Sequence, residues 1–140
     1  RDRVRTLLDD GTLALAQLHG QEDESYIREL KTYTDKLIIK AFSIKTAEDI
    51  EKALQSPTDY ILLDQGGGGT GKTFDWSLIP EIQRPFFLAG GIGASNLGQA
   101  IREIHPYAVD LSSSVETEKR KDPMKIRQVV DIVREIKIIN

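Results

Sequence analysis

The sequence predicts an α/β fold around a parallel sheet, of the barrel kind rather than an open sheet. Three observations carry this. Short apolar runs begin near positions 13, 37, 60, 86 and 107, a spacing of 21 to 26 residues. A helical pattern of apolar residues separates each run from the next, and strand–helix alternation implies parallel strands joined by right-handed crossovers. Each run also ends in a group fit for chemistry: His19-Gly20, Lys40, Asp64, Gly90-Gly91, and Asp110 followed by Ser112-Ser113-Ser114. An open sheet gathers ligand groups at one switch point, whereas a (β/α) barrel carries them at every carboxyl end.

The elements follow in order. Val4, Leu7 and Leu8 share one helical face, and Asp9-Asp10-Gly11 ends that helix. Leu13 to Leu18 is the first strand. Asp23 to Thr34 is a helix with Tyr26, Ile27 and Leu30 inward. Leu37 to Phe42 is the second strand, and Thr46 caps a helix carrying Ile50, Ala53 and Leu54. Tyr60-Ile61-Leu62-Leu63-Asp64 is the third strand, four residues of a buried run meeting a carboxylate. Pro85 to Ala89 is the fourth strand. Ser95 or Asn96 caps a helix with Leu97, Ala100, Ile101 and Ile104. Tyr107 to Leu111 is the fifth strand. Pro123 opens a last helix that carries Ile126, Val129, Val130, Val133 and Ile136.

The chain has 140 residues, room for one domain over 1–140. Five units fall short of eight, and a whole barrel takes about 250 residues, at least about 200. A net charge of −3 offers no field for nucleic acid. A phosphorylated ligand would be held locally, by backbone N–H groups and helix N-termini. The absence of cysteine excludes disulfides, thiolate metal sites and a cysteine nucleophile from these residues. No apolar run reaches the ~20 residues of a membrane span. No signal-peptide pattern opens the sequence, so a cytoplasmic location is expected.

Asp64 faces a loop of four consecutive glycines, Gly66 to Gly69. A carboxyl group at the mouth of an apolar strand is a candidate general acid or base, against the plainer role of a loop hydrogen bond. Gly66-x-x-x-x-Gly71-Lys72-Thr73 also satisfies the nucleotide-binding P-loop pattern, but Pro80 limits any following helix to about two turns. Gly90, Gly91, Ser112, Ser113 and Ser114 are candidate phosphate ligands, because the last two strand-to-helix loops of barrels recurrently form such a site. His19 is a candidate ligand or proton donor, against a satisfied structural histidine. Asp110 is a candidate for a sugar hydroxyl or for orienting the serine loop. Lys72, Lys119, Arg120 and Lys121 are expected to be solvated, and Phe74 and Trp76 to pack under the glycine loop.

Gln17-Leu18-His19-Gly20, Leu62-Leu63-Asp64, Gly69-Thr70-Gly71-Lys72-Thr73-Phe74-Asp75-Trp76, Leu88-Ala89-Gly90-Gly91 and Pro106-Tyr107-Ala108-Val109-Asp110 occur in that order, with Ser112-Ser113 and Val115-Glu116-Thr117 after them. Together they resemble the phosphoribosylanthranilate isomerase family of tryptophan biosynthesis, over the whole chain. The resemblance implies a TIM (β/α)8 barrel, of which this chain is expected to cover the last five strands, and an Amadori rearrangement without cofactor or metal. It implies N-(5-phosphoribosyl)anthranilate as substrate, Asp64 as the general acid that opens the ribose ring, and the phosphate on Gly90-Gly91 and Ser112-Ser113-Ser114. The family's general base is a cysteine on the first strand, in a part of the barrel expected to precede Arg1. Ser114 stands where the family usually has glycine, at a cost of about 1 kcal/mol if the position requires positive φ. A non-catalytic phosphate-binding half-barrel and a P-loop nucleotide-binding protein are the alternatives. Two apolar edge strands, Leu13–Leu18 and Tyr107–Leu111, are expected to drive self-association or pairing with the three preceding strands.

Overall fold

The computed structural model describes residues 2–65 and 76–139. Its elements are α1 (Asp2–Asp9), β1 (Leu15–Leu18), α2 (Glu24–Tyr33), β2 (Leu37–Ser43), α3 (Ala47–Leu54), β3 (Tyr60–Asp64), β4 (Phe86–Ala89), α4 (Leu97–Ile104) and β5 (Ala108–Asp110). A two-stranded hairpin, β6 (Glu116–Thr117) and β7 (Arg120–Lys121), precedes α5 (Pro123–Ile139). Strands β1 to β5 form one sheet in sequential order, and every pair is parallel. That is the arrangement of consecutive units of a β/α barrel. β1 and β5 are the edges of this sheet.

Strand registers separate two faces. Ile61 and Leu63 of β3, Phe86 and Leu88 of β4, and Val109 of β5 pack with Ile50, Ala53, Leu97, Ala100 and Val129 of the helices. At the β1 end, Ala16, Leu18 and Ile38 pack with Leu8, Ile27 and Leu30. The opposite face holds Ile39, Ala41, Tyr60, Leu62, Phe87 and Ala89. On that face the Tyr60 ring lies 5.6 Å from Phe87 and 5.5 Å from Tyr107, centroid to centroid. Leu15 and Leu37 remain 41% and 44% exposed, and Tyr107 65%. The apolar face opposite the helices is therefore only partly covered by the described residues.

Local chemistry explains the helix starts. Asp23 accepts from Tyr26 N at 2.8 Å and caps α2. Thr46 and Asp49 form a capping box at α3, as the sequence leads one to expect at Thr46. Asp122 accepts from Met124 N at 2.9 Å at the start of α5. On α5, Val129 and Ile136 are buried, while Ile126 and Val130 are 39% and 38% exposed. The hairpin of β6 and β7 carries no glycine or asparagine turn signal: Glu118 and Lys119 take φ of 51° and 63° themselves.

Candidate active site

Asp64 ends β3 at the carboxyl edge of the sheet. Its carbonyl accepts from Ile44 N at 2.7 Å, and the next amide, Gln65 N, donates to Ala89 O at 3.1 Å. The acid is thus fixed between the ends of β2 and β4. Trp76 Nε1 donates to Gln65 Oε1 at 2.9 Å and holds the following residue in place. Trp76 also packs against the helix-side core. The glycine loop itself, with Lys72, Phe74 and the whole Gly66–Thr73 pattern, lies outside the described residues.

Two clefts meet at Asp64. One, of 560 Å³, runs from Asp64 over Gly90, Gly91 and Gly93 to Asn96, Asp110 and Ser112-Ser113-Ser114. The other, of 520 Å³, runs from Asp64 over Ser43 and Lys40 to His19, Gly20 and Glu22. His19, Asp64, Gly90, Gly91, Asp110 and Ser112-Ser113-Ser114 therefore fall along one edge of the sheet, with Asp64 common to both clefts. His19 and Asp110 are exposed there, and Asp64 is half-buried.

The glycine loop after β4 is shaped for close approach. Gly90 has φ +83°, and a Cβ on it would lie 2.5 Å from Asp64 Oδ1 and 2.8 Å from Gln65 N. Only glycine fits so near the acid. Asn96, expected as a cap, serves this loop instead. Its Oδ1 accepts from Gly93 N and its Nδ2 donates to Gly91 O, each at 2.9 Å. It makes no side-chain cap bond to α4.

The serine loop is braced from behind. Lys121 Nζ donates to Ser112 O at 3.1 Å, to Ser112 Oγ at 3.3 Å and to Glu116 Oε1 at 2.6 Å. Lys121 is exposed, as are Lys119 and Arg120 and as expected of all three, and these bonds tie it to the loop as well. Thr117 Oγ1 donates to Asp122 Oδ2 at 2.7 Å, and that bond holds the Asp122 carboxyl below the usual range. Ser114 lies in a 3-10 turn, Ser113–Val115, and is not among the residues with positive φ. Its side chain packs toward Gly93, where a Cβ would meet it at 3.1 Å. The backbone penalty considered for a serine at this position therefore does not arise.

Sequence reading did not weigh Asn96 as a loop brace or Glu22 as a site residue. Glu22 is invisible without Lys40, a charge placed inside the run Leu37-Ile38-Ile39-Lys40-Ala41-Phe42. Such a charge is buried only with a partner, and that is the signal that finds the pair.

The sheet topology, with chemistry-bearing groups at its carboxyl edge, defines a member of the parallel β/α barrel class. A family model described as N-(5'phosphoribosyl)anthranilate (PRA) isomerase matches residues 1–132. The N-(5'-phosphoribosyl)anthranilate isomerase of Endomicrobium trichonymphae is 43% identical over 139 residues, covering 96% of this chain and 68% of the relative. The crystal structure of the phosphoribosyl anthranilate isomerase from Thermotoga maritima superposes with a TM-score of 0.82 at 34% identity, over 96% of this chain and 68% of that one. A further phosphoribosyl anthranilate isomerase structure, in complex with reduced 1-(o-carboxyphenylamino)-1-deoxyribulose 5-phosphate, gives 0.79 at 32% identity over 96% and 66%. The chain belongs to the phosphoribosylanthranilate isomerase family. It spans about two thirds of the length of these relatives.

Proposed function

We propose that this chain supplies the last five βα units of a phosphoribosylanthranilate isomerase barrel, with Asp64 as its general acid. The observation that carries this reading is the position of Asp64, shared by a glycine–serine cleft and by the His19 cleft. A sugar phosphate lying across both would put its ribose at the carboxyl group.

The phosphate fits the glycine–serine end. The cleft there is lined by no lysine or arginine among the described residues, so the donors are backbone amides of the Gly90–Ile92 stretch and the amides and hydroxyls of Ser112–Ser114. Lys121 adds charge from behind Ser112. Asp110 faces the same cleft and suits a ribose hydroxyl. The aromatic end of the substrate extends toward His19.

In the proposed reaction, the proton of the Asp64 carboxyl passes to the ribose ring oxygen. The C1–O bond breaks and the nitrogen lone pair forms the C1=N bond of a Schiff base. Removal of the C2 proton gives an enol, which tautomerises to the amino-deoxyribulose. No cysteine is present to act as base. That proton is assigned to a group on the strands that would precede β1, and the exposed Leu15, Leu37 and Tyr107 form the apolar surface those strands would cover. β1 and β5 offer the edges for that pairing, or for self-association.

The test is turnover of N-(5-phosphoribosyl)anthranilate by the chain joined to, or mixed with, the three preceding strands. Turnover should appear on assembly, and Asp64→Asn should lower it by about 10² to 10⁴. Full turnover by that variant would assign ring opening to another group.

A further inference from the structure

Lys40 is 5% exposed, in the second strand of the sheet. Its Nζ donates to Gly20 O at 2.7 Å and to Glu22 Oε2 at 2.8 Å. Glu22 Oε2 in turn accepts from Gly20 N at 2.8 Å. Both backbone groups of Gly20 are therefore held by one ion pair. The Lys40 bond also keeps the Glu22 carboxyl below its usual range. A buried ammonium gives up its hydration, a loss made good only where it is paired and fully hydrogen-bonded. An apolar residue would fill this position of β2 without that cost. Packing alone gives no reason for the charge.

What the pair fixes is the turn after β1. His19 precedes Gly20, and His19, Gly20, Gln21, Glu22 and Lys40 all line the cleft that ends at Asp64. A Cβ on Gly20 would meet the Glu22 carboxylate at 3.0 Å, so a side chain there would press on the clamp itself. We infer that Lys40 and Glu22 are positioning residues: they clamp Gly20 so that the His19 turn forms the wall that receives the aromatic end of the substrate. This rests on the isomerase reading above. Phosphate recognition belongs to β4 and β5, on the far side of Asp64. The clamp should therefore act on binding of the aromatic portion and leave the phosphate site alone.

The experiment compares Lys40→Met, Glu22→Gln and the double variant in the assembled barrel. Three quantities are read: affinity for reduced 1-(o-carboxyphenylamino)-1-deoxyribulose 5-phosphate, affinity for inorganic phosphate, and amide exchange at Gly20. Each single variant should lower analogue affinity about tenfold or more, with inorganic phosphate affinity held within twofold. The double variant should lose no more than the singles, because both residues act through one clamp. Gly20 exchange should quicken about tenfold while the amides of the β1–β2 ladder keep their rates. Lys31→Met, which breaks the exposed Lys31–Asp59 pair instead, should leave analogue affinity unchanged. Equal losses for phosphate and analogue, additive losses, or unaltered Gly20 exchange would overturn the inference. Should Lys40→Met fail to fold, Glu22→Gln carries the same comparison from the half-exposed side of the pair. Failure of the isomerase reading is separable: the parent protein would then not bind the analogue, while Gly20 exchange would still report on the clamp.

Discussion

Replacing Gly90 with alanine should cost more than any other glycine change the structure allows one to compare. Two terms add. The backbone at φ +83° penalises an L side chain by about 1–2 kcal/mol. The new Cβ would also stand 2.8 Å from Gln65 N, about 0.7 Å inside an optimal contact of ~3.5 Å. Gln65 N cannot easily retreat, because it is bonded to Ala89 O. Overpacking of this kind costs about 1–3 kcal/mol. Gly11 provides the control: its φ is +78°, but a Cβ there meets nothing within 4 Å. Gly11→Ala should show the backbone term alone, and Gly90→Ala should exceed it by about 1–3 kcal/mol. With about 2–4 °C per kcal/mol for a protein of this size, thermal unfolding should separate the two variants by roughly 5 °C. The Cβ also lies 2.5 Å from Asp64 Oδ1, so the acid must move. A shift of ~1 Å can cost about 10² in rate. Equal melting temperatures for the two variants would refute the packing argument. Full turnover by Gly90→Ala would refute the placement of the acid.

Three further outcomes are expected. Arg84 donates to Leu54 O, Ser56 O and Thr58 O at 3.1, 2.8 and 2.6 Å, so Arg84→Met should cost about 2–3 kcal/mol in urea unfolding; a loss under 0.5 kcal/mol would mean water replaces it fully. Lys119→Gly relieves a left-handed residue in the β6–β7 turn and should raise stability by about 0.5–1 kcal/mol, whereas a net loss would show that the turn is not strained. Glu22 is held below its usual range first by its bond to Lys40. A depressed folded value means the clamp contributes fully above the unfolded pKa of Glu and is lost as pH falls through the lower folded value. The Gly20 amide shift should therefore titrate with a midpoint below the ordinary glutamate value, and a midpoint at or above it would contradict the pairing.

Much of the fold was legible because it rests on local signals. The bounds of β3 follow from an apolar run that stops at a carboxylate, and α3 begins at its capping threonine. The site edge was legible for the same reason: each strand ends abruptly in a polar or glycine residue. What escaped depends on partners distant in sequence. Lys40 and Glu22 are 18 residues apart, and their bond exists only once β1 and β2 pair. Asn96 carries an ordinary cap signal, yet its side chain closes the glycine loop because Gly91 and Gly93 turn back toward it. The hairpin after the serines was hidden because Glu118 and Lys119 occupy positions that usually call for glycine or asparagine. The exposure of Val130 and the burial of Val129 depend on which neighbours α5 meets, which a helical pattern alone does not specify.

The most direct test of the account is a crystal structure of the assembled barrel with reduced 1-(o-carboxyphenylamino)-1-deoxyribulose 5-phosphate bound. The account predicts the phosphate between the Gly90–Gly93 and Ser112–Ser114 loops, a ribose-derived oxygen within about 2.6–3.2 Å of the Asp64 carboxyl, and the aromatic ring against the His19 turn. A phosphate seated elsewhere, or an Asp64 carboxyl out of reach of every sugar oxygen, would contradict it.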